Sequence, residues 1–391
     1  MAARRMAIQG LAGVIGRECL MACVAFRVDA SLEIGTGHVM RCLTLATALR
    51  ERHAARCCFL CRELPGHLIA RIEAEEFEVL RLVAPAAAET SHSGQGAGEP
   101  AHAAWLGVDW SQDARESADL LASLAPDWLV VDHYALDARW ESAVRPSGTR
   151  LLVIDDLADR EHIADLLLDQ NLGRLAKDYA GLVPANCQLM IGPDYALLRP
   201  EFAEWRRPSL DRRDSRPGLS QLLISLGGVD KDNVTAEVLQ ALRDIELPRT
   251  CRITVVMGAT APWIEVVKRV ADTLEQPTEV VTNVSDMARR MAEADLAIGA
   301  AGSTSWERCC LGLPTLMLVL AENQRFISDM LDRSGAAVAI SLREESGKVS
   351  LNDAIRRCLS VPGYLAEMSA KAASIGDGLG AQRLGRLMHE Q

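Results

Sequence analysis

Phe26-Arg27-Val28-Asp29-Ala30-Ser31-Leu32-Glu33-Ile34-Gly35-Thr36-Gly37-His38-Val39-Met40-Arg41-Cys42-Leu43 is the stretch on which the fold turns. The apolar run from Val24 to Val28 reads as a short buried strand and gives way to a loop with two glycines. Apolar residues then recur at helical spacing, at Val39, Leu43, Leu45, Ala46 and Leu49. His38 falls where the helix begins, beside backbone N–H groups that have no intrahelical partner and that disfavour a protonated imidazole. A neutral imidazole can take a proton, which makes His38 the candidate general base. The alternative is that the glycines only make the turn and His38 caps the helix. The loop has neither the third glycine of a dinucleotide fingerprint nor the Gly-Lys-Ser/Thr of a P-loop.

Outward from this stretch the pattern repeats. Cys57 to Cys61 reads as a strand, Gly66 to Glu76 as a helix, and the Ala-, Ser- and Gly-rich residues 84 to 104 as a flexible surface loop touching none of the motifs. A helix is expected from Ser111, its N-cap, to Leu124. Three apolar runs then end in polar groups: Asp127 to Tyr134, Leu151 to Asp156 and Leu166 to Asn171. Continuous apolar runs separated by helices indicate parallel strands covered on both faces, with ligands collecting at their carboxyl ends. His38, Tyr134 and Asp155 all fall there. Asp155 and Asp156 resemble a metal pair, but adjacent residues on a strand point opposite ways, so capping of a following helix is expected instead.

Residues 206 to 220 are charged, contain two prolines and lack periodicity, and read as a linker. Beyond them the scheme restarts with strands at Gln221 to Leu226, Arg252 to Met257, Glu279 to Thr282, Ala294 to Ile298 and Pro314 to Leu320. The reading is α/β: two Rossmann-like domains facing across a cleft. The divisions are an extension at 1–22, an N-terminal domain at 23–205, the linker, and a C-terminal domain at 221–391 whose last helix returns to the first domain. Residues 1–22 make a poor signal peptide and read as a disordered extension or a start placed before Met21.

At 391 residues, two domains are the default, and 49% apolar with 24% charged residues suits a globular chain. A net charge of −11 argues against nucleic acid as a partner. The eleven cysteines have no ligand spacing and read as reduced core thiols of a cytoplasmic protein. In the second half, Gly227-Gly228 and Gly302-Ser303-Thr304-Ser305 each form a small-residue turn between a strand and a helix. Such turns let phosphate oxygens reach backbone N–H groups, although each alone could be an ordinary tight turn. Glu307, one turn further on, can accept hydrogen bonds from ribose hydroxyls or simply favour its helix start.

Taken together, Arg27-x-Asp29-x-Ser31-x-x-Ile34-Gly35-x-Gly37-His38-x-x-Arg41-Cys42-Leu43, Asp132-His133-Tyr134, Ile154-Asp155-Asp156 and Asp169-Gln170-Asn171 resemble the family of UDP-2,4-diacetamido-2,4,6-trideoxy-β-L-altropyranose hydrolases. The resemblance continues through Gly192-Pro193-x-Tyr195-Ala196-Leu197-Leu198-Arg199, Ser225-Leu226-Gly227-Gly228, Glu322-Asn323-Gln324 and Asp377-Gly378-x-Gly380-Ala381. It implies a GT-B-like fold shared with glycosyltransferases, a role in pseudaminic acid biosynthesis and flagellin glycosylation, and no metal or other cofactor. It further implies UDP in the C-terminal half and the sugar facing His38. Site residues carried over with it are His38 and Tyr134 for catalysis, and Arg27, Asp29, Gly35, Gly37, Arg41, Gly227, Gly228, Gly302, Ser303, Thr304, Glu307, Asn323 and Gln324 for substrate. Tyr134 would orient water or sugar, and Asn323 or Gln324 would read an acetamido group. The expected protein is a monomer without stable membrane association. The alternatives are a GT-B glycosyltransferase using a UDP-amino sugar, for which no acceptor-facing apolar or basic patch is visible, and a sugar-nucleotide-binding protein without activity.

Overall fold

The computed structural model describes residues 22–84, 99–215, 218–342 and 349–391. Two seven-stranded, fully parallel sheets organise it. The first comprises β1 (Cys23–Val28), β2 (Arg56–Arg62), β3 (Glu78–Leu82), β4 (Trp128–Asp132), β5 (Arg150–Ile154), β6 (Leu166–Asp169) and β7 (Gln188–Ile191), in the order β3-β2-β1-β4-β5-β6-β7. The second comprises β8 (Gln221–Ser225), β9 (Arg252–Met257), β10 (Thr278–Thr282), β11 (Leu296–Ala300), β12 (Thr315–Leu318), β13 (Ala337–Ser341) and β14 (Val349–Ser350), in the order β10-β9-β8-β11-β12-β13-β14. Central strands are buried almost along their whole length, as their apolar runs require when helices cover both faces.

In both sheets the strand order reverses beside the first strand, between β1 and β4 and between β8 and β11. Such switch points open a crevice at the carboxyl ends of the strands. The loop 29–36 leaves β1 at the first crevice, and the turns at Gly227 and Gly302 leave β8 and β11 at the second. The register sets Val28 opposite Asp132, which brings the end of β4 under the loop that carries His38.

Several local expectations differ from the structure. Residues 206–215 are not irregular: they complete the helix Pro200–Ser215, with Pro208 inside it. Two of its arginines donate to carbonyl groups at helix ends. Arg206 donates to Ala373 O at 2.8 Å, and Arg213 donates to Met291 O at 2.9 Å and Ala294 O at 2.6 Å. The helix Trp110–Leu124 is capped by Asp109, which accepts from Ser111 N at 2.8 Å, so Ser111 is not the cap. No helix follows Asp155. Its carboxylate accepts from Leu157 N, Ala158 N and Arg160 Nη1 and thereby closes a turn. The edge strands β3 and β7 and the strands β13 and β14 were not expected, because short or half-exposed runs give a weak periodic signal. The expected extension at residues 1–22 lies outside the described residues apart from Ala22.

The last helix, Gly380–Glu390, buries Ala381, Leu384 and Met388 in the core of the first sheet, and Trp128 Nε1 donates to Met388 O at 3.2 Å. Gly380 permits this crossing: a Cβ there would lie 2.3 Å from Ala196 O. Among the described residues no helix is long and apolar enough to cross a membrane.

Candidate active site

A cavity of about 190 Å³ lies where the two crevices face each other. Gly37, His38, Arg41, Tyr134 and Asp156 line it from the first half; Gly302, Ser303, Trp306, Gln324 and Phe326 line it from the second. The halves approach closely, since a Cβ on Gly37 would lie 3.6 Å from Ser303 Oγ. Arg174 also stacks over the Phe326 ring, 4.6 Å from its centroid.

His38 is the second residue of the helix Gly37–His53 and is almost buried. Its Nδ1 lies 2.6 Å from Asp132 Oδ1. Arg41 grips the same carboxylate in a bidentate pair, Nε to Oδ2 and Nη2 to Oδ1, both at 2.6 Å. Burial alone would push the Asp132 carboxyl up, but Arg41 and His38 overcome it and hold the group well below the usual carboxylate range. An ionised carboxylate only accepts, so at 2.6 Å the proton between them sits on Nδ1. In the neutral imidazole the lone pair is therefore on Nε2, the nitrogen a substrate water would need. The sequence reading placed this task on the helix end alone, whereas the structure adds a carboxylate that selects the tautomer.

Tyr134 packs edge-on against the imidazole, with ring centroids 4.6 Å apart at 86°. Its hydroxyl donates to Asp156 Oδ2 at 2.7 Å, and the same oxygen accepts from Arg41 Nη1 at 2.6 Å. Burial first, and Asp156 second, raise the phenol well above its ordinary value, so it stays protonated. With that proton committed to Asp156, what Tyr134 can offer a ligand is a lone pair and a ring edge. Arg41, expected to touch substrate, lines the cavity and gives three of its donors to Asp132 and Asp156.

Two further expectations are corrected. Arg27 and Asp29 are wholly buried and pair with each other at 2.8 Å. Arg27 Nη2 also reaches Asp113 Oδ2 at 2.7 Å, and Asp29 Oδ1 accepts from Arg62 N at 2.7 Å. They fasten strand ends and helix together behind the site instead of meeting the cavity. Gly35 closes the loop with φ +79 and does not line the cavity. Asp132 and Asp156 were missed as partners of His38 and Tyr134. The signal for Asp132 was present, as a carboxylate ending an apolar run on the strand beside β1.

The second half presents small residues. Gly302 and Ser303 line the cavity; Gly227, Gly228, Thr304 and Glu307 do not. Gly302 has φ +155, and neither Gly228 nor Gly302 would meet any atom within 4 Å with a Cβ, so the backbone there is open to a ligand. Gly228 also needs Gly258 beneath it, where a Cβ would lie 1.9 Å from Gly228 O. Burial pushes the Glu307 carboxyl up to about 7, and Arg199 and Arg308 offset only part of this. Gln324 lines the cavity and accepts from Leu320 N at 2.9 Å; the side chain of Asn323 lies outside the described residues. Asp155 and Asp156 bond in different directions, and among the described residues no group of three or more acidic, His or Cys side chains is arranged to hold a metal ion.

Residues 222–384 match the glycosyltransferase family 28 C-terminal domain. Over 316 residues the chain is 25% identical to the UDP-2,4-diacetamido-2,4,6-trideoxy-β-L-altropyranose hydrolase of Campylobacter jejuni, covering 81% of this chain and 98% of that protein. It is 32% identical to the spore coat polysaccharide biosynthesis protein SpsG of Bacillus subtilis, over 41% of this chain and 46% of that one. In structure it is similar to MurG of Acinetobacter baumannii, with a TM-score of 0.66 and 17% identity across 95% of this chain and all of that one. The chain is thus an α/β protein of two Rossmann-like domains with GT-B-like structural neighbours; its residues 222–384 match the glycosyltransferase family 28 C-terminal domain, and it is similar to the Campylobacter UDP-2,4-diacetamido-2,4,6-trideoxy-β-L-altropyranose hydrolase along most of its length.

Proposed function

We propose that the protein hydrolyses a UDP-sugar at its anomeric carbon without a metal. The substrate we assign is UDP-2,4-diacetamido-2,4,6-trideoxy-β-L-altropyranose, and the products are UDP and 2,4-diacetamido-2,4,6-trideoxy-L-altrose, as in pseudaminic acid biosynthesis. The observation that carries this reading is the Asp132-oriented imidazole of His38, its Nε2 free to act as a base, at a switch-point crevice facing the open turn at Gly302-Ser303. The similarity to the Campylobacter hydrolase supports the choice of sugar.

In this mechanism UDP lies on the C-terminal half. Its diphosphate meets the backbone at Gly227-Gly228 and Gly302-Ser303-Thr304, its ribose meets Glu307, and Asn323 or Gln324 reads an acetamido group. His38 Nε2 takes a proton from water as the water oxygen attacks the anomeric carbon opposite UDP. The bond from that carbon to the diphosphate oxygen breaks, its electrons leave with UDP, and the configuration inverts through an oxocarbenium-like transition state. Asp132 stabilises the imidazolium that forms, and Tyr134 fixes the ring plane. UDP is already a good leaving group, so no protein acid is required.

The test is incubation with a panel of UDP-sugars, with chelator and without acceptor, following UDP release and the product anomer by NMR. Release with inversion is the expected result. A second reading, transfer to an acceptor, is favoured by the family 28 domain, and strict dependence on an acceptor would establish it over hydrolysis.

A further inference from the structure

Asp169-Gln170-Asn171 stands among the sequence motifs, and the mechanism gives it no task. The motif closes β6 at the carboxyl end of the first sheet, and both of its amide side chains line the cavity between the crevices. Each is almost wholly buried, Gln170 at 3% and Asn171 at 2% exposure. Asp169 fixes the segment from behind. Its carboxylate accepts from Asn171 N at 2.9 Å, from Arg174 Nε at 2.8 Å and from the Tyr179 hydroxyl at 2.8 Å.

Backbone partners decide which end of each amide is left for the cavity. Gln170 Oε1 accepts from Leu197 N at 3.2 Å, which leaves the Nε2 donor over. Asn171 Nδ2 donates to Asp156 O at 3.1 Å, which leaves the Oδ1 acceptor over. Neither of these two atoms has a hydrogen-bond partner among the described residues. Buried polar groups are as a rule paired, so a donor and an acceptor left open side by side on a cavity wall point to a ligand. The same wall has no spare positive charge, because Arg41 is met by both Asp132 and Asp156. It offers neutral hydrogen bonds, which suit an uncharged group better than a phosphate.

We propose that Gln170 Nε2 and Asn171 Oδ1 bind an uncharged group of the substrate's sugar that both accepts and donates a hydrogen bond, an amide or a hydroxyl. The inference rests on the UDP-sugar reading and deepens it. Two side chains on the half of the cavity that holds His38 and Tyr134 thereby become specificity-determining residues.

The test is a double-mutant cycle between side chain and substrate. Gln170→Glu keeps an acceptor for Leu197 N and removes the donor, and Gln170→Met removes the donor without adding charge. For wild type and both variants, kcat/KM is measured on the diacetamido UDP-sugar and on analogues in which each acetamido group and each free sugar hydroxyl is replaced in turn by hydrogen. The inhibition constant of UDP is the control. Both variants should lower kcat/KM for the full substrate about 10-fold, chiefly through KM, and leave UDP inhibition unchanged. On one analogue the penalty should vanish, and that analogue identifies the group as amide or hydroxyl. No penalty on the full substrate, a penalty of the same size on every analogue, or UDP inhibition weakened by the same factor would overturn the assignment while leaving the hydrolase reading intact. A wild type that releases UDP from no sugar nucleotide would overturn both.

Discussion

The two crevices share one topology and are furnished in opposite ways. At the β1/β4 switch point, five polar side chains hold one another at hydrogen-bond distance: His38, Asp132, Arg41, Asp156 and Tyr134. At the β8/β11 switch point the corresponding places are taken by glycines and small hydroxyl residues, with open space where a Cβ would stand. A network of fixed charges serves to position a proton, and bare backbone serves to receive an anion. The proposed function puts chemistry in the first crevice and nucleotide binding in the second, and each half of that proposal can be broken separately.

The largest effect is expected at His38. His38→Ala should lower kcat by about 10²- to 10⁴-fold while calorimetric titration finds UDP affinity unchanged. A loss of UDP binding in that variant would erase the division of labour.

Removing Asp132 attacks the same crevice through its support. Asp132→Ala leaves Arg41 buried without half of its partners, a change that typically costs about 3–5 kcal/mol, measurable by urea denaturation. The sign of the pH dependence follows from the lowered carboxyl. Its stabilisation is complete above the unfolded value of about 3.9 and is lost as pH falls below it. The variant should therefore lose stability at neutral pH and show a shallower decline in acid.

Gly228→Ala is the reciprocal probe. The residue has no positive φ and a Cβ would meet nothing within 4 Å, so the melting temperature should hold while UDP binds about 10-fold more weakly, as expected when a phosphate loses a backbone contact of about 1.4 kcal/mol. Unchanged affinity would move the diphosphate elsewhere.

The smallest effect is a pH slope. Glu307 is raised to about 7, so its neutral form stabilises the fold below the unfolded value, and that contribution fades as pH rises toward 7. The carboxylate formed there is the form that accepts ribose hydroxyls. UDP affinity should rise through pH 7 more steeply in the wild type than in Glu307→Gln, the difference removing the titration of the phosphate itself.

Much of this contrast is legible in the amino-acid sequence. Apolar runs ending in polar residues predicted parallel strands, and the glycine turns after Leu226 and Ala301 marked an open crevice. What escaped was pairing across the sheet. Arg27, Asp29 and Arg41 sit in the motif that carries His38, and nothing in their spacing separates a side chain facing ligand from one facing a carboxylate on β4 or on the helix Trp110–Leu124. Asp132 and Asp113 are 91 and 86 residues away from the arginines they hold, a separation no periodicity spans. The charged stretch at 206–215 misled for a related reason: its arginines look solvated until the helix ends they cap are known.

The central claim is that His38 activates water against the anomeric carbon. Hydrolysis in ¹⁸O-labelled water, with the products separated and weighed by mass spectrometry, tests it directly. One labelled oxygen in the released sugar and none in UDP is the predicted result. Label in the UDP phosphate, or no UDP release without an acceptor, would contradict it.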